Sequence, residues 1–391
     1  MTDLSKIVRV VDTDTHVIEP YDVWTSRVST KRFGDRVPHV KWDEELQQEM
    51  WYFGKERIAA GAGSAMAGWT EYPPDRPKRL SQVDPAAYSA DHRLKRMDEY
   101  GIYAQVLYPN IAGFGAGRYL TLQDPELMLL CVQAYNDWII EWASIAPHRL
   151  LPQAAIPFWD LEASVKEMDR AAKLGHRGII FCGEPEDFKL PSLTDPHWNP
   201  FWAAAEERGL PINFHIGAGD LWTYQTMHPS VGKHSQFAGN SINFFMINAK
   251  VISELTCGGI CYRYPKLKFV SVESGVGWLP FAMEALDWQW LNSGGHKEHP
   301  EYKLLPSEFF RRQIYGSFWF ERKSLHAAIN IIGDDNVMYE TDFPHPTSMS
   351  PGPATTAIKP SDYIQQTLSD LPKATVEKLL WGNAAKVYGL S

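Results

Sequence analysis

The feature that most limits what this chain can fold into is a rhythm. Short apolar, β-branched runs recur along most of its 391 residues, each followed by a longer amphipathic stretch. Candidate strands are Ile7–Val11, Ala104–Tyr108, Leu151–Ile156, Gly178–Cys182, Pro211–Ile216, Lys268–Glu273 and Asn336–Glu340, with a weaker one near Ile314–Trp319. Helical periodicity fills the intervals at Asp91–Tyr100, Pro125–Ala146, Leu161–Leu174, Asn199–Arg208, Ala238–Cys257, Pro280–Leu291 and Glu321–Ile332, and a final helix is expected over Lys373–Tyr388. Strands alternating with helices make βαβ units and therefore a parallel sheet. Eight such units predict closure into a (β/α)₈ TIM barrel, a single domain spanning residues 1–391. No GxGxxG or Walker-type loop follows the first strand, which weakens a nucleotide-binding open sheet.

Two segments exceed the minimal barrel. Residues from about 30 to 90 are rich in Pro, Gly, Trp and charge, and are predicted to be an insertion covering part of the barrel mouth. Gly217–Gln236 follows the fifth strand and is too long for a plain connection, so it reads as a substrate loop. Apolar residues at 44% and charged residues at 22% support a large core. A net charge of −9 argues against nucleic acid as a partner, because phosphate binding needs a basic surface. No apolar run is long enough to span a membrane, and the opening MTDLSKIVRVVDTDTH has no signal core, so a cytoplasmic enzyme is expected. Cys131, Cys182, Cys257 and Cys261 form no metal-type CxxC pair and no disulfide framework, and read as buried thiols.

In a barrel, the carboxyl ends of the strands converge on one mouth, where catalysis occurs. Four predicted strand ends carry metal-ligating side chains: Asp12-Thr13-Asp14-Thr15-His16 at the first, His215 at the fifth, Glu273 at the sixth and Asp342 at the eighth. Alternation along a regular strand puts residues 12, 14 and 16 on one face, so Asp14 and His16 can reach a common ion. Imidazole nitrogen and carboxylate oxygen suit Zn²⁺, Mn²⁺ or Fe²⁺. Zn²⁺ is expected for a single site. A pair of Mn or Fe ions bridged by the carboxylates is the alternative.

The segments VDTDTHVIEP, PINFHIG, YPKLKFVSVESGVGWLP, YETDFPHP and LLWGNAAKVYGL resemble the amidohydrolase superfamily. Within it the chain is similar to the branch that contains aminocarboxymuconate-semialdehyde decarboxylase and related aromatic-acid decarboxylases. The resemblance implies a metal site of Asp14, His16, His215 and Asp342, with Asp14 where the family carries the first His of an HxH pair. It also implies that Glu273 occupies the place of a catalytic His after the sixth strand.

Two reactions fit these residues, metal-dependent hydrolysis and nonoxidative decarboxylation of a small organic acid, aromatic acids included; oxygenation at a dinuclear Fe or Mn centre is the alternative. A barrel that has lost its chemistry and serves as a silent partner subunit is the non-enzymatic reading. For hydrolysis, Asp342 takes the proton of an ion-bound water and Glu273 is a ligand or second acid/base. His345 either protonates a substrate carbon or holds Asp342 in place. Glu19 is read as a structural anion or a further ligand, and His228 and His234 as substrate-loop contacts or solvent-facing residues. Trp222 and Trp278 are placed nearest the substrate because their loops begin at ligand strands. Arg118 and Arg177 are candidates for holding a substrate carboxylate. Trp288 and Trp290 are candidates for a subunit interface, and the resemblance makes a homo-oligomer, or a hetero-oligomer with a related subunit, plausible.

Overall fold

The computed structural model describes residues 4, 8–219 and 225–391. Eight parallel strands, β1 (Val11–His16), β2 (Ala104–Tyr108), β3 (Leu150–Ala154), β4 (Gly178–Ile180), β5 (Ile212–His215), β6 (Phe269–Val272), β7 (Ile314–Phe318) and β8 (Val337–Tyr339), pair in chain order. Past the end of β8 the sheet closes on β1 through a parallel bridge between Thr15 and Phe343. Helices α1 (Ala90–Tyr100), α2 (Pro125–Ala143), α3 (Leu161–Leu174), α4 (Asn199–Arg208), α5 (Lys233–Phe245), α6 (Ile247–Cys257), α7 (Leu279–Asn292) and α8 (Lys323–Ile332) lie between the strands in sequence. The chain is the TIM barrel that its rhythm predicts. Local chemistry sets the helix limits. Asp124 and Asp160 accept from Leu127 N and Ala163 N to cap α2 and α3, and Gly175 ends α3 with a left-handed φ of 100°.

Alternation along the strands sorts the core into two layers. Phe214, Phe269 and Phe318 pack outward against the helices, while Val106, Leu151, Ile180, Val270, Val272 and Met338 fill the barrel. A last helix, α9 (Asn383–Tyr388), adds Ala384, Val387 and Tyr388 to the inner layer. Each such aliphatic side chain contributes about 1.5–3 kcal/mol when fully buried. The predicted helix Ala238–Cys257 is divided instead into α5 and α6 around Met246. The hydroxyl of Ser274, on the turn after β6, donates to the Phe245 carbonyl at the break.

Within the insertion, His39–Asp43, Gln48–Phe53 and Glu56–Ala60 form a three-stranded antiparallel sheet. Its Trp51 is buried edge-on against Trp24, 5.0 Å between ring centres, and belongs to the core. The chain then returns toward the barrel mouth, where Met66 N and Ala67 N donate to Pro344 O at 2.7 and 3.0 Å. Of the two interface candidates, Trp290 is buried and stacked parallel to Tyr302, whereas Trp288 is 66% exposed. No helix among the described residues is long and apolar enough to cross a membrane.

Candidate metal centre

β1 does not alternate regularly. Asp12 pairs with Gln105 and Thr15 with Leu107, so Thr13 and Asp14 together stand opposite one residue, Val106. This is a β-bulge, a device that re-aims side chains beside functional sites. It corrects the expectation that residues 12, 14 and 16 share a face. Asp12 turns toward Gln105 and Thr341, where its carboxylate accepts from Thr341 N (2.8 Å), Thr341 Oγ1 (2.6 Å) and Gln105 Nε2 (3.0 Å). Asp14 turns to the other side, toward His16 and His215.

There the side chains converge. His16 Nε2 lies 3.1 Å from His215 Nε2, 3.3 Å from Asp14 Oδ1 and 3.6 Å from Asp342 Oδ1. His215 Nε2 lies 3.6 Å from Asp14 Oδ1 and 3.4 Å from Glu273 Oε2. All five are brought together, and all but the partly exposed Glu273 are buried. The opposite ring nitrogens are already engaged: His16 Nδ1 donates to Pro109 O at 2.9 Å and His215 Nδ1 to Ile216 O at 2.7 Å. A neutral imidazole whose Nδ1 carries the proton presents a bare lone pair at Nε2. Two such lone pairs therefore face each other and Asp14. Both oxygens of Asp14 and of Asp342 lack a hydrogen bond, although all four atoms are buried. Two imidazole lone pairs and a carboxylate that converge repel one another unless a cation stands between them, so Asp14, His16 and His215, with Asp342 beside them, fit a divalent ion.

Burial raises the carboxyl of Asp14, but the imidazoles of His215 and His16, when protonated, outweigh it and hold it below the usual range; a cation in place of those protons acts in the same direction. Burial, with the charges of Glu273 and Asp14, pushes Asp342 well above that range. Glu340, which alternation from Asp342 would have flagged, is buried beside them with one oxygen unpartnered, and burial with Asp14 pushes it up as well. Glu273 and Asp342 both exit their strands with φ near +55°, at 55° and 58°. Such a left-handed turn costs a non-glycine residue about 1–3 kcal/mol, and this kind of strain clusters at functional sites.

A cavity of about 480 Å³ opens onto this cluster. Arg76, Phe114, Phe237, Phe245, Glu273 and His345 are among its lining residues, and its size suits a small molecule. Phe114 packs directly on the centre, 4.0 Å from the His215 ring and 4.9 Å from that of His16. Neither Phe114 nor Arg76 bears a sequence mark that singles it out. His345 is stacked on His16 at 3.7 Å and stands 2.9 Å from Asp342 Oδ1 through Nδ1, an ion-pair distance without hydrogen-bond geometry.

Other candidates lie elsewhere. Trp278 donates to Ser274 O within its own turn and packs on the helical core, outside the cavity wall, because α7 starts immediately after it. His228 is exposed and caps a short turn, with Nδ1 accepting from Ser230 N. His234 is exposed on α5, near Pro73 O. Trp222 lies outside the described residues. Glu19 accepts from Asn110 N and Ile111 N and is a structural anion. Arg118 donates to Ile111 O near Glu19, and Arg177 immediately precedes β4, at the barrel end opposite the mouth.

The Amidohydrolase family profile matches residues 11–390. Gamma-resorcylate decarboxylase of Polaromonas sp. (strain JS666 / ATCC BAA-500) is 26% identical over 77% of this chain and 87% of its own. The 2-amino-3-carboxymuconate-6-semialdehyde decarboxylase of Dictyostelium discoideum is 24% identical over 80% of each. Among solved structures, an amidohydrolase of Mycobacterium avium subsp. paratuberculosis K-10 superposes with a TM-score of 0.76 at 21% identity, covering 98% of this chain and 99% of that one.

Proposed function

Because the chain belongs to the amidohydrolase family, we propose that it is a divalent-metal enzyme that removes carbon dioxide, without oxidation, from a small aromatic or similarly unsaturated carboxylic acid. The observation that carries this reading is the shared wall: Glu273 and His345 belong both to the carboxylate–imidazole cluster and to the cavity lining. The two decarboxylase relatives support the substrate class.

A divalent ion held by Asp14, His16, His215 and Asp342 supplies a Lewis-acid anchor for substrate oxygens. The chain's own residues do the rest. Phe114, Phe237 and Phe245 give a planar ring apolar walls and keep water from it. Arg76 lines the same cavity with no carboxylate partner among the described residues, and fixes a second anionic group of the substrate. Burial pushes the carboxyl of Glu273 up and favours its protonated form. In that form Glu273, on the cavity wall, donates its proton to the ring carbon bearing the carboxylate. The carbon–carbon bond then breaks, its electron pair returns to the ring, carbon dioxide leaves, and solvent reprotonates Glu273.

A second reading, hydrolysis, is favoured by one observation: both Asp342 oxygens are free of hydrogen bonds, which leaves the carboxylate of a metal-loaded protein open to a water. The discriminating experiment incubates metal-loaded protein with a panel of hydroxybenzoates and of aryl esters and amides, and follows carbon dioxide, oxygen and released alcohol or amine. Carbon dioxide release without oxygen uptake supports decarboxylation. Activity confined to esters and amides supports hydrolysis. Oxygen consumption coupled to turnover overturns both.

A further inference from the structure

His345 stands between two functions, and the groups around it choose one. The backbone N–H of Ser64 can only donate, and it donates to Asn110 Oδ1 at 3.2 Å. That contact fixes which end of the Asn110 amide is oxygen. The amide nitrogen Nδ2 is then the atom that meets His345 Nε2, at 2.8 Å, so Nε2 accepts. An imidazole that accepts through Nε2 carries its proton on Nδ1 when neutral. Nδ1 is the atom 2.9 Å from Asp342 Oδ1.

We infer that Asn110 is a positioning residue: it commits His345 to the Nδ1–H form, with Nδ1 the ring nitrogen beside Asp342, and it ties that state to the Gly63–Ser64 turn of the insertion. His345 is then a fixed neighbour of Asp342 and not a proton source for the cavity. The connection is tight at its far end. Gly63 has φ of 58°, and a Cβ added there would lie 2.3 Å from Asn110 Oδ1. Only glycine leaves room for the amide. The three parts come from distant stretches of chain, since Ser64 and Asn110 are 46 residues apart and Asn110 and His345 are 235 apart. The arrangement lets the insertion influence the metal centre without contributing a ligand to it.

The inference goes beyond the proposed reaction and rests only on Asp342 belonging to the metal site. Its primary test needs no substrate: ¹⁵N chemical shifts of the His345 ring in zinc-loaded, histidine-labelled protein, assigned by loss of the signals in His345→Gln. The expected result is a protonated Nδ1 and an unprotonated, accepting Nε2. A protonated Nε2 overturns the inference. In Asn110→Asp the new carboxylate accepts, so the ring should switch to its Nε2–H form while zinc per chain stays at the parent value. An unchanged tautomer in that variant also overturns it. If Asn110→Asp does not fold, the shifts of the parent protein decide alone. Where a turnover assay exists, Asn110→Asp should lower kcat about 10- to 100-fold with KM nearly unchanged, the usual cost of losing an outer partner of a ligand. A loss seen only in KM would assign Asn110 to substrate contact instead and so overturn the positioning role.

Discussion

Asp12 and Asp14 are two residues apart on one strand, both fully buried, and chemically identical. They face opposite needs. On one side of β1, Asp12 is saturated: the backbone and hydroxyl of Thr341 and the amide of Gln105 all donate to it. Burial pushes its carboxyl up to about 7 despite those bonds. On the other side, Asp14 has no hydrogen-bond donor and stands instead among imidazole lone pairs. The first aspartate completes its chemistry within the protein and is architectural. The second is left incomplete by the protein, and the cation proposed for the site would complete it. Burial alone does not separate the two roles, because both are 0% exposed. The count of donors does.

The difference can be broken by substitution. The largest effect is expected for Asp14→Asn, which should strip the bound ion and lower turnover by about two orders of magnitude or more, since a fixed charge at the reacting centre is lost. Its fold should survive, as read by circular dichroism. Retention of a full complement of metal would remove Asp14 from the site. The converse variant, Asp12→Ala, should lose about 3 kcal/mol in denaturant unfolding, because it strands the Thr341 and Gln105 donors in the interior. The folded fraction should still carry metal. Equal metal loss in both variants would erase the distinction between the two sides of the strand.

Chelation sharpens the same comparison without mutation. Removing the ion should lower stability by about 2.7 kcal/mol relative to protein held at a free-metal concentration one hundred times Kd, and restoring it should recover the melting temperature. In Asp14→Asn the chelator should change nothing. The smallest effect uses a buried histidine far from the cluster. His176 lies just before β4, at the opposite end of the barrel, with Nε2 donating to Asn136 O at 3.2 Å. Burial depresses its pKa to about 4. Its folded value is below the ordinary 6.5, so the unfolded chain binds the proton first and stability must fall as pH drops through that window. Between pH 6.5 and 5 the loss attributable to His176 is about 2 kcal/mol, and His176→Phe should flatten that slope without touching metal content. An unchanged slope would place the acid sensitivity elsewhere.

Much of this was legible in the sequence. The strand–helix rhythm identifies the barrel, and the rule that strand ends meet at one mouth gathers Asp14, His16, His215, Glu273 and Asp342 before any coordinate is known. What was hidden depends on packing between distant parts. VDTDTH alternates without a glycine or proline, so nothing marks the bulge that sends Asp12 and Asp14 apart. The break between α5 and α6 sits where a serine on the turn after β6 reaches the Phe245 carbonyl. Asn110 sits in YPNIAG, a loop without ligand-type residues, and gains its role only through Ser64 and His345. Trp278 illustrates the reverse error: closeness in sequence to a ligand strand says little about which way a ring turns.

The closing seam of the barrel has a consequence for how the protein comes into being. Asp342 N donates to Asp14 O, and His16 N to Phe343 O, so three of the four residues whose peptide groups shut the cylinder are proposed ligands of the ion. The Asp12–Thr341 contact beside them spans 329 residues of chain. Domains are synthesised from the N-terminus, and a nascent chain on the ribosome holds Asp14 and His16 long before Asp342 exists. With Asp342 a ligand, as proposed, the set stays short of a member and the cylinder open along one side until the last strand arrives. Metal capture then waits for the end of synthesis, and a chain terminated before β8 is expected to hold no ion.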